Sequence, residues 1–271
     1  MSDLKCDATS LYKPLDAAYW EAHYSAKTTG WDLGTVAPPI KMYIDKIADK
    51  NSRILIPGCG NSYEAEYLLN LGFTDITVID IAPTPAVILQ EKFKNNAAIQ
   101  IVLGDFFEHQ GNYDLIIEQT FFCALPPTMR QKYVWKMHQL LADKGILAGL
   151  LFNRTFESGP PFGGNQEEYE MLFKDAFSFL EMGPTQNSIA PRANSELFFE
   201  LRKNSTVFVN MYQSENIKCS TSSSDVTEKL FTIESVLNAS RSSDFEEILI
   251  VSIAAIDSKT IKDALSNSKE N

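Results

Sequence analysis

Gly58, Gly60 and Asp80 are the residues of this chain whose types and spacing suit ligand binding most directly, the acid standing twenty positions after the second glycine. With Cys59 between them, the two glycines make a turn whose backbone can approach a bound molecule closely. An acid at the end of the following strand can accept hydrogen bonds from both hydroxyls of a ribose. A dinucleotide site would carry a third glycine at position 63, to make room for a pyrophosphate, and Tyr63 stands there instead. The turn therefore suits S-adenosylmethionine, whose sulfonium brings no phosphate. A bare Gly-x-Gly is also an ordinary strand-helix turn, so the surrounding elements must decide.

Those elements alternate. Residues 53–57 are an apolar run of the kind that forms a fully buried parallel strand, Ser62 stands where it would cap a helix, and Tyr63, Tyr67, Leu68 and Leu71 recur at helical spacing. Further strands are expected at 76–80, 99–103, 113–118 and 145–152, with helices at 17–24, 40–48, 85–94, 129–141 and 166–177. Short links between strand and helix predict an α/β fold, a doubly wound parallel sheet. Two more runs, 180–188 and 196–202, are expected to pair as an antiparallel edge. Residues 1–16 read as a loose arm.

The balance of 24 basic against 35 acidic residues, a formal charge of -11, argues against nucleic acid or an anionic membrane as partner. Four cysteines without a Cys-x-x-Cys pair and three scattered histidines predict no metal site and reduced thiols. No apolar stretch is long enough to span a bilayer, and the first residues resemble neither a signal nor a transit peptide, so a cytoplasmic protein is expected.

Around the turn stand several side chains with two readings each. Trp31, between two glycines, is either a plug on the core or a lid over a ligand. Asp105 and Phe106 follow a strand, where an acid can bond an adenine amine while a ring packs on the base; the alternative is a helix cap beside a core phenylalanine. Cys123 sits in an apolar run and reads as packing.

Five separated motifs carry a resemblance. Gly30-Trp-Asp-Leu-Gly34, Pro57-Gly-Cys-Gly60, Gln119-Thr-Phe-Phe-Cys-Ala-Leu-Pro-Pro-Thr-Met-Arg130, Gly159-Pro-Pro-Phe162 and Ile189-Ala-Pro-Arg192 resemble the thiopurine S-methyltransferase family, in order over residues 16–203, and within it the plant and fungal thiol and halide methyltransferases. The resemblance implies a class I methyltransferase fold that binds S-adenosylmethionine. Trp31 would lie against the methionine part, Gly58 and Gly60 would form the turn, Asp80 would hold the ribose, and Asp105 with Phe106 would frame the adenine. Where that branch carries Asp-Tyr, this chain has Glu118-Gln119: Glu118 keeps a carboxylate, counted among both catalytic and cofactor-binding groups, and the tyrosine contact is lost. Phe121, Phe122, Pro160, Pro161 and Phe162 would form a dry wall for the substrate. Arg192, and after it Arg154, would hold an anionic acceptor, a structural ion pair being the alternative for Arg192.

Methyl transfer from a sulfonium needs positioning and loss of water more than an acid-base pair, which fits soft nucleophiles such as a thiol, hydrosulfide, thiocyanate or halide. Rival readings are a sensor or scaffold that binds the cofactor without turnover, a nicotinamide oxidoreductase, and a methyltransferase for tellurium or arsenic oxyanions.

After residue 203 the pattern changes. Residues 205–271 read as strand, helix, two strands and helix, an order that resembles a heavy-metal-associated domain of ferredoxin-like fold without its last strand. Ile217-Lys-Cys219 matches the start of that domain's metal loop, and Ser222 stands in place of the second thiol. One thiolate does not suffice for copper or zinc, so the segment is read as a degenerate α+β appendage for partner or self association. Its removal is expected to leave residues 1–203 folded.

Overall fold

Strands β1 (Ile54–Pro57) and β2 (Ile76–Asp80) are buried at every position, as unbroken apolar runs require of strands covered on both faces. The computed structural model describes residues 14–213, 223–241, 247–252, 254 and 256–266. In it β1 lies parallel between β2 and β4 (Tyr113–Gln119), β3 (Ile99–Leu103) extends the sheet beyond β2, and β5 (Leu141–Phe152) extends it beyond β4. The far edge is antiparallel: β7 (Glu196–Lys203) pairs with β5 and then with β6 (Phe177–Pro184). The order is β3-β2-β1-β4-β5-β7-β6, and the direction of winding reverses between β1 and β4. At such a switch point the carboxyl ends of two strands diverge and leave a crevice.

Helices α1 (Ala17–Ala26), α2 (Pro38–Ile44), α3 (Tyr63–Asn70), α4 (Pro83–Phe93), α5 (Arg130–Leu140) and α6 (Gln166–Phe173) cover the sheet. One core layer holds Ile40, Ile54, Ile56, Leu68 and Val78, the other Leu55, Ile116, Tyr133, Trp135 and Phe199. Two expectations are corrected. Ser62 occupies the cap position of α3 but has φ +48°, and its hydroxyl makes no cap bond. The last helix of the larger unit stops at Phe173, because Phe177 is already buried as the first residue of β6.

The C-terminal residues form β8 (Phe208–Gln213), α7 (Ser223–Leu230), β9 (Val236–Arg241), β10 (Glu247–Ser252) and α8 (Ser258–Ser266). β10 is central and antiparallel to both β8 and β9. Val226, Leu230, Ile248, Ile250 and Ile261 make a small core of their own. Val207, Val209 and Val251 pack instead with the cluster that contains α5, and Gln139 Nε2 donates to the Val209 carbonyl at 3.4 Å. α5 thereby loses the solvent face a surface helix keeps: Tyr133, Trp135, Met137 and even Lys136 and His138 are buried. The arm at 1–13 and the loop with Cys219 and Ser222 lie outside the described residues.

Candidate active site

The crevice at the β1–β4 switch point is framed by a concentration of unusual backbone. Gly58 (φ +55°), Gly60 (+49°) and Ser62 (+48°) follow β1, and Thr120 (+64°) follows β4; all four line one cleft. A side chain costs roughly 1–2 kcal/mol in this left-handed region, more for a β-branched residue, and such strain persists where the surroundings impose it. A Cβ on Gly58 would lie 2.3 Å from the Phe121 ring, so that glycine is required by close approach as well, while one on Gly60 would lie 3.0 Å from the Tyr24 hydroxyl, a tight but movable neighbour.

Asp80 stands behind the turn, 7% exposed. Its Oδ2 accepts the Gly60 N–H at 2.8 Å and its Oδ1 the Ala82 N–H at 2.9 Å, which fixes the turn and leaves further lone pairs for a ligand. Burial raises the carboxyl above its ordinary range, and the backbone donors pull it back. Trp31 lines the cleft and packs edge-on to Trp20 and Tyr24, with ring centroids 5.5 and 5.9 Å away.

The loop bearing Trp31 is tied at both ends. Asp32 accepts from Asn61 Nδ2 at 2.5 Å and the Tyr63 hydroxyl at 3.2 Å, while Arg192 Nη2 donates to the Trp31 carbonyl at 3.0 Å. Tyr24, Asp32, Asn61, Glu64, Gln119 and Thr120 also line the cleft, and the sequence reading named none of them as site residues. Asp32, Gln119 and Thr120 lie within the quoted motifs. Glu64 gave no signal, since an acid in a helix's first turn is ordinary. Here it is buried, and burial pushes its carboxyl up to about 7. No lysine or arginine lines the cleft among the described residues.

Several expected site residues stand elsewhere. Glu118 is fully buried; its Oε2 accepts the N–H groups of Phe121 and Phe122 at 3.1 and 3.0 Å, its Oε1 has no partner, and burial raises it to about 7. It holds the turn after β4 and does not face the cleft. Phe122, 1% exposed, is core, surrounded by Tyr133, Tyr169 and Phe173. Phe106 is buried too, its ring 5.0 Å from Phe121, so it supports the residue that lies on Gly58. Asp105 is exposed and accepts the Phe107 N–H at 2.8 Å, an Asx turn with no helix after it, so it caps none. Arg192 pairs with Glu196 at 3.3 Å and lies over the Phe152 ring, the ion-pair alternative. Arg154 is exposed and stacks on Phe156. Cys59 lines the cleft as a buried free thiol raised by burial and by Asp80. Cys123 is buried as well, its Sγ 3.4 Å from the Thr120 carbonyl.

A second cavity, of about 680 Å³, lies between the start of α1 and the loop after β5, lined by Leu15, Tyr19, Pro127 and residues 155–163. Pro161 and Phe162 belong to it as expected; Phe121, Phe122 and Arg192 do not line it. The Phe162 N–H donates to the Cys123 carbonyl at 2.6 Å, which joins this wall to the segment carrying Thr120. α1 joins the two cavities a second time, through Tyr19 in one and Tyr24 in the other.

Known proteins resemble this chain. The chain is 31% identical over 194 residues to probable thiol methyltransferase 2 of Arabidopsis thaliana, covering 69% of this chain and 85% of that protein. It is 26% identical over 196 residues to thiocyanate methyltransferase 1 of the same plant, covering 70% and 86%. Among solved structures, the 1,6-didemethyltoxoflavin-N1-methyltransferase of Burkholderia thailandensis, with S-adenosylhomocysteine bound, superposes with a TM-score of 0.57 at 17% identity over 69% of this chain and 86% of that one. That likeness is one of fold, the mostly parallel sheet of class I methyltransferases. The family model described as thiopurine S-methyltransferase matches residues 15–207. Strands β1 to β7, the glycine turn and the acid behind it all fall within that match, and the chain belongs to the thiopurine S-methyltransferase family.

Proposed function

We propose that this chain transfers a methyl group from S-adenosylmethionine to a small soft nucleophile: a thiol, hydrosulfide, thiocyanate or halide. One observation carries the reading. Ser62 Oγ and Gln119 Nε2 are buried without partners, and both belong to residues of the glycine-lined cleft. A buried orphan polar group costs about 1–3 kcal/mol, which a bound nucleoside or amino-acid moiety would offset. When bound, the cofactor supplies a methyl carbon already activated by a positive sulfur. The chain supplies the rest. Asp80 accepts from the ribose, and Asp32 and Glu64 favour a cation over a phosphate. Trp31 and Phe121 keep water away, and the neighbouring cavity with Pro161 and Phe162 in its wall receives the nucleophile.

A thiol with a pKa of about 8.5 is already a few per cent thiolate near neutrality, so no strong base is needed. Calorimetry with S-adenosylmethionine tests the cofactor, and release of S-adenosylhomocysteine with sulfide, thiocyanate or iodide tests the reaction. Binding without release would favour a sensor. Release with tellurite or arsenite alone would favour a metalloid enzyme.

We also infer that residues 1–203 are the catalytic domain and 205–271 an appended ferredoxin-like unit that lacks its last strand. The alternation of its elements and the order β8-β10-β9 support this. Self-association through it, a cytoplasmic setting and no nucleic-acid partner go with the reading; light scattering on the full chain and on one ending at 204 tests the first.

A further inference from the structure

We propose that Arg130 is the positioning residue of the acceptor cavity, clamping the 155–163 loop to α5 and α6 and so setting the wall that meets the nucleophile. This rests on reading the second cavity as the acceptor's. Arg130 is the first residue of α5, and its side chain is 7% exposed. Its Nη2 donates to the Gly163 carbonyl at 2.6 Å, its Nη1 pairs with the Glu168 carboxylate on α6, and its guanidinium lies over the Phe122 ring, 5.0 Å from the centroid.

A guanidinium taken out of water costs several kcal/mol unless its donors are used; with Nε buried and unpartnered, the cost here is met by Glu168 and the Gly163 carbonyl alone, which commits the side chain to that loop's position. Lysine would not replace it. A planar fork reaches two acceptors at once and stacks on a ring, whereas an ammonium is a single strongly hydrated charge. The loop's base tolerates little play. A Cβ on Gly163 would lie 1.8 Å from the Arg154 carbonyl oxygen, the Gly164 N–H donates to that same carbonyl at 3.0 Å, and Phe162 is pinned to Cys123 one residue earlier. The clamp therefore acts on the end of the wall nearest the segment that follows β4. Arg130 touches neither cavity, so its effect runs through the loop.

Arg130→Lys should raise the KM for hydrosulfide or thiocyanate by roughly tenfold while the cofactor Kd stays within about twofold, the size expected for one charged hydrogen bond. Glu168→Gln, which leaves the fork and the Gly163 bond in place, should raise the same KM by only about threefold. Hydrogen exchange of residues 155–164 should quicken in both variants, with residues 58–64 unchanged. An unchanged KM with only a lower melting temperature would mean a structural role and overturn the proposal. So would a cofactor Kd that moves in step with KM. Should Arg130→Lys not fold, an unchanged KM and unchanged loop exchange in Glu168→Gln would overturn it alone. Failure of the wild type to form S-adenosylhomocysteine would strike the proposed function itself, a result separate from any of these.

Discussion

The cleft between β1 and β4 and the C-terminal sheet are built on opposite terms. The cleft gathers four left-handed residues, two of them not glycine, together with buried polar atoms that bond to nothing. Among the described residues of the C-terminal unit there is no left-handed non-glycine residue and no orphan buried polar side chain. Its sheet covers apolar surface on two sides, its own helices on one and the α5 cluster on the other. Neither feature is confined to the cleft, since Lys27, Lys144 and Asn194 are also left-handed and Arg130 Nε, Tyr133 Oη and Trp135 Nε1 are also orphans; what marks the cleft is that the two coincide there.

Cutting the chain after residue 204 is the harshest way to break that contrast. The sequence alone predicts a catalytic unit that stays folded after the cut. With Val207 and Val251 buried in the α5 cluster, truncation should also cost about 3–6 kcal/mol of stability, from roughly 1.5–3 kcal/mol per buried valine. Urea denaturation of the two chains measures it. A midpoint equal to that of the full chain would mean the C-terminal unit is an independent rider.

Proton linkage separates the two regions next. Glu64 and Glu118 have folded values near 7 against about 4.3 unfolded, so the folded form holds more protons and stability falls as pH rises from 4.5 to 7. His138 lies under the junction, its Nε2–H donating to the Asn204 carbonyl at 2.9 Å, and burial depresses it to about 4 from about 6.5. Its sign is opposite: it costs stability as pH falls from 6.5 to 4. Two groups against one leave a net loss of about 3 kcal/mol from pH 4.5 to 7. His138→Gln should steepen that slope, and Glu118→Gln should flatten it, as read from denaturation midpoints across pH.

Asp80→Ala tests the cleft alone. Cofactor binding should weaken by about 1–3 kcal/mol, through the lost ribose contacts and through a turn no longer held at the Gly60 N–H. An unchanged Kd by calorimetry would mean the ligand sits elsewhere.

How much of this could be read from residues alone differs between the backbone and the side chains. β3 and β10 run where the apolar residues do, 99–103 and 247–252, because period is a local property. The glycine turn and Asp80 were legible for the same reason. Phe121 and Phe122 are identical in type and adjacent, yet one lies on Gly58 and the other in the core, a choice made by the Glu118 bonds that shape the turn. Arg192 reaches a carbonyl 161 residues away. No spacing rule encodes such a contact.

Ser62→Gly gives the smallest effect and the most direct reading of the contrast. The substitution frees a φ of +48° from its side-chain penalty and removes a buried hydroxyl that bonds nothing, gains of about 1 kcal/mol each. Added freedom in the unfolded chain takes back about 0.4–1 kcal/mol. The ligand-free protein should thus become more stable by about 1 kcal/mol, while cofactor binding weakens a few-fold for want of the hydroxyl. A variant that loses stability would show that Ser62 serves the fold; one that gains stability and keeps full affinity would leave the left-handed serine without a ligand to explain it.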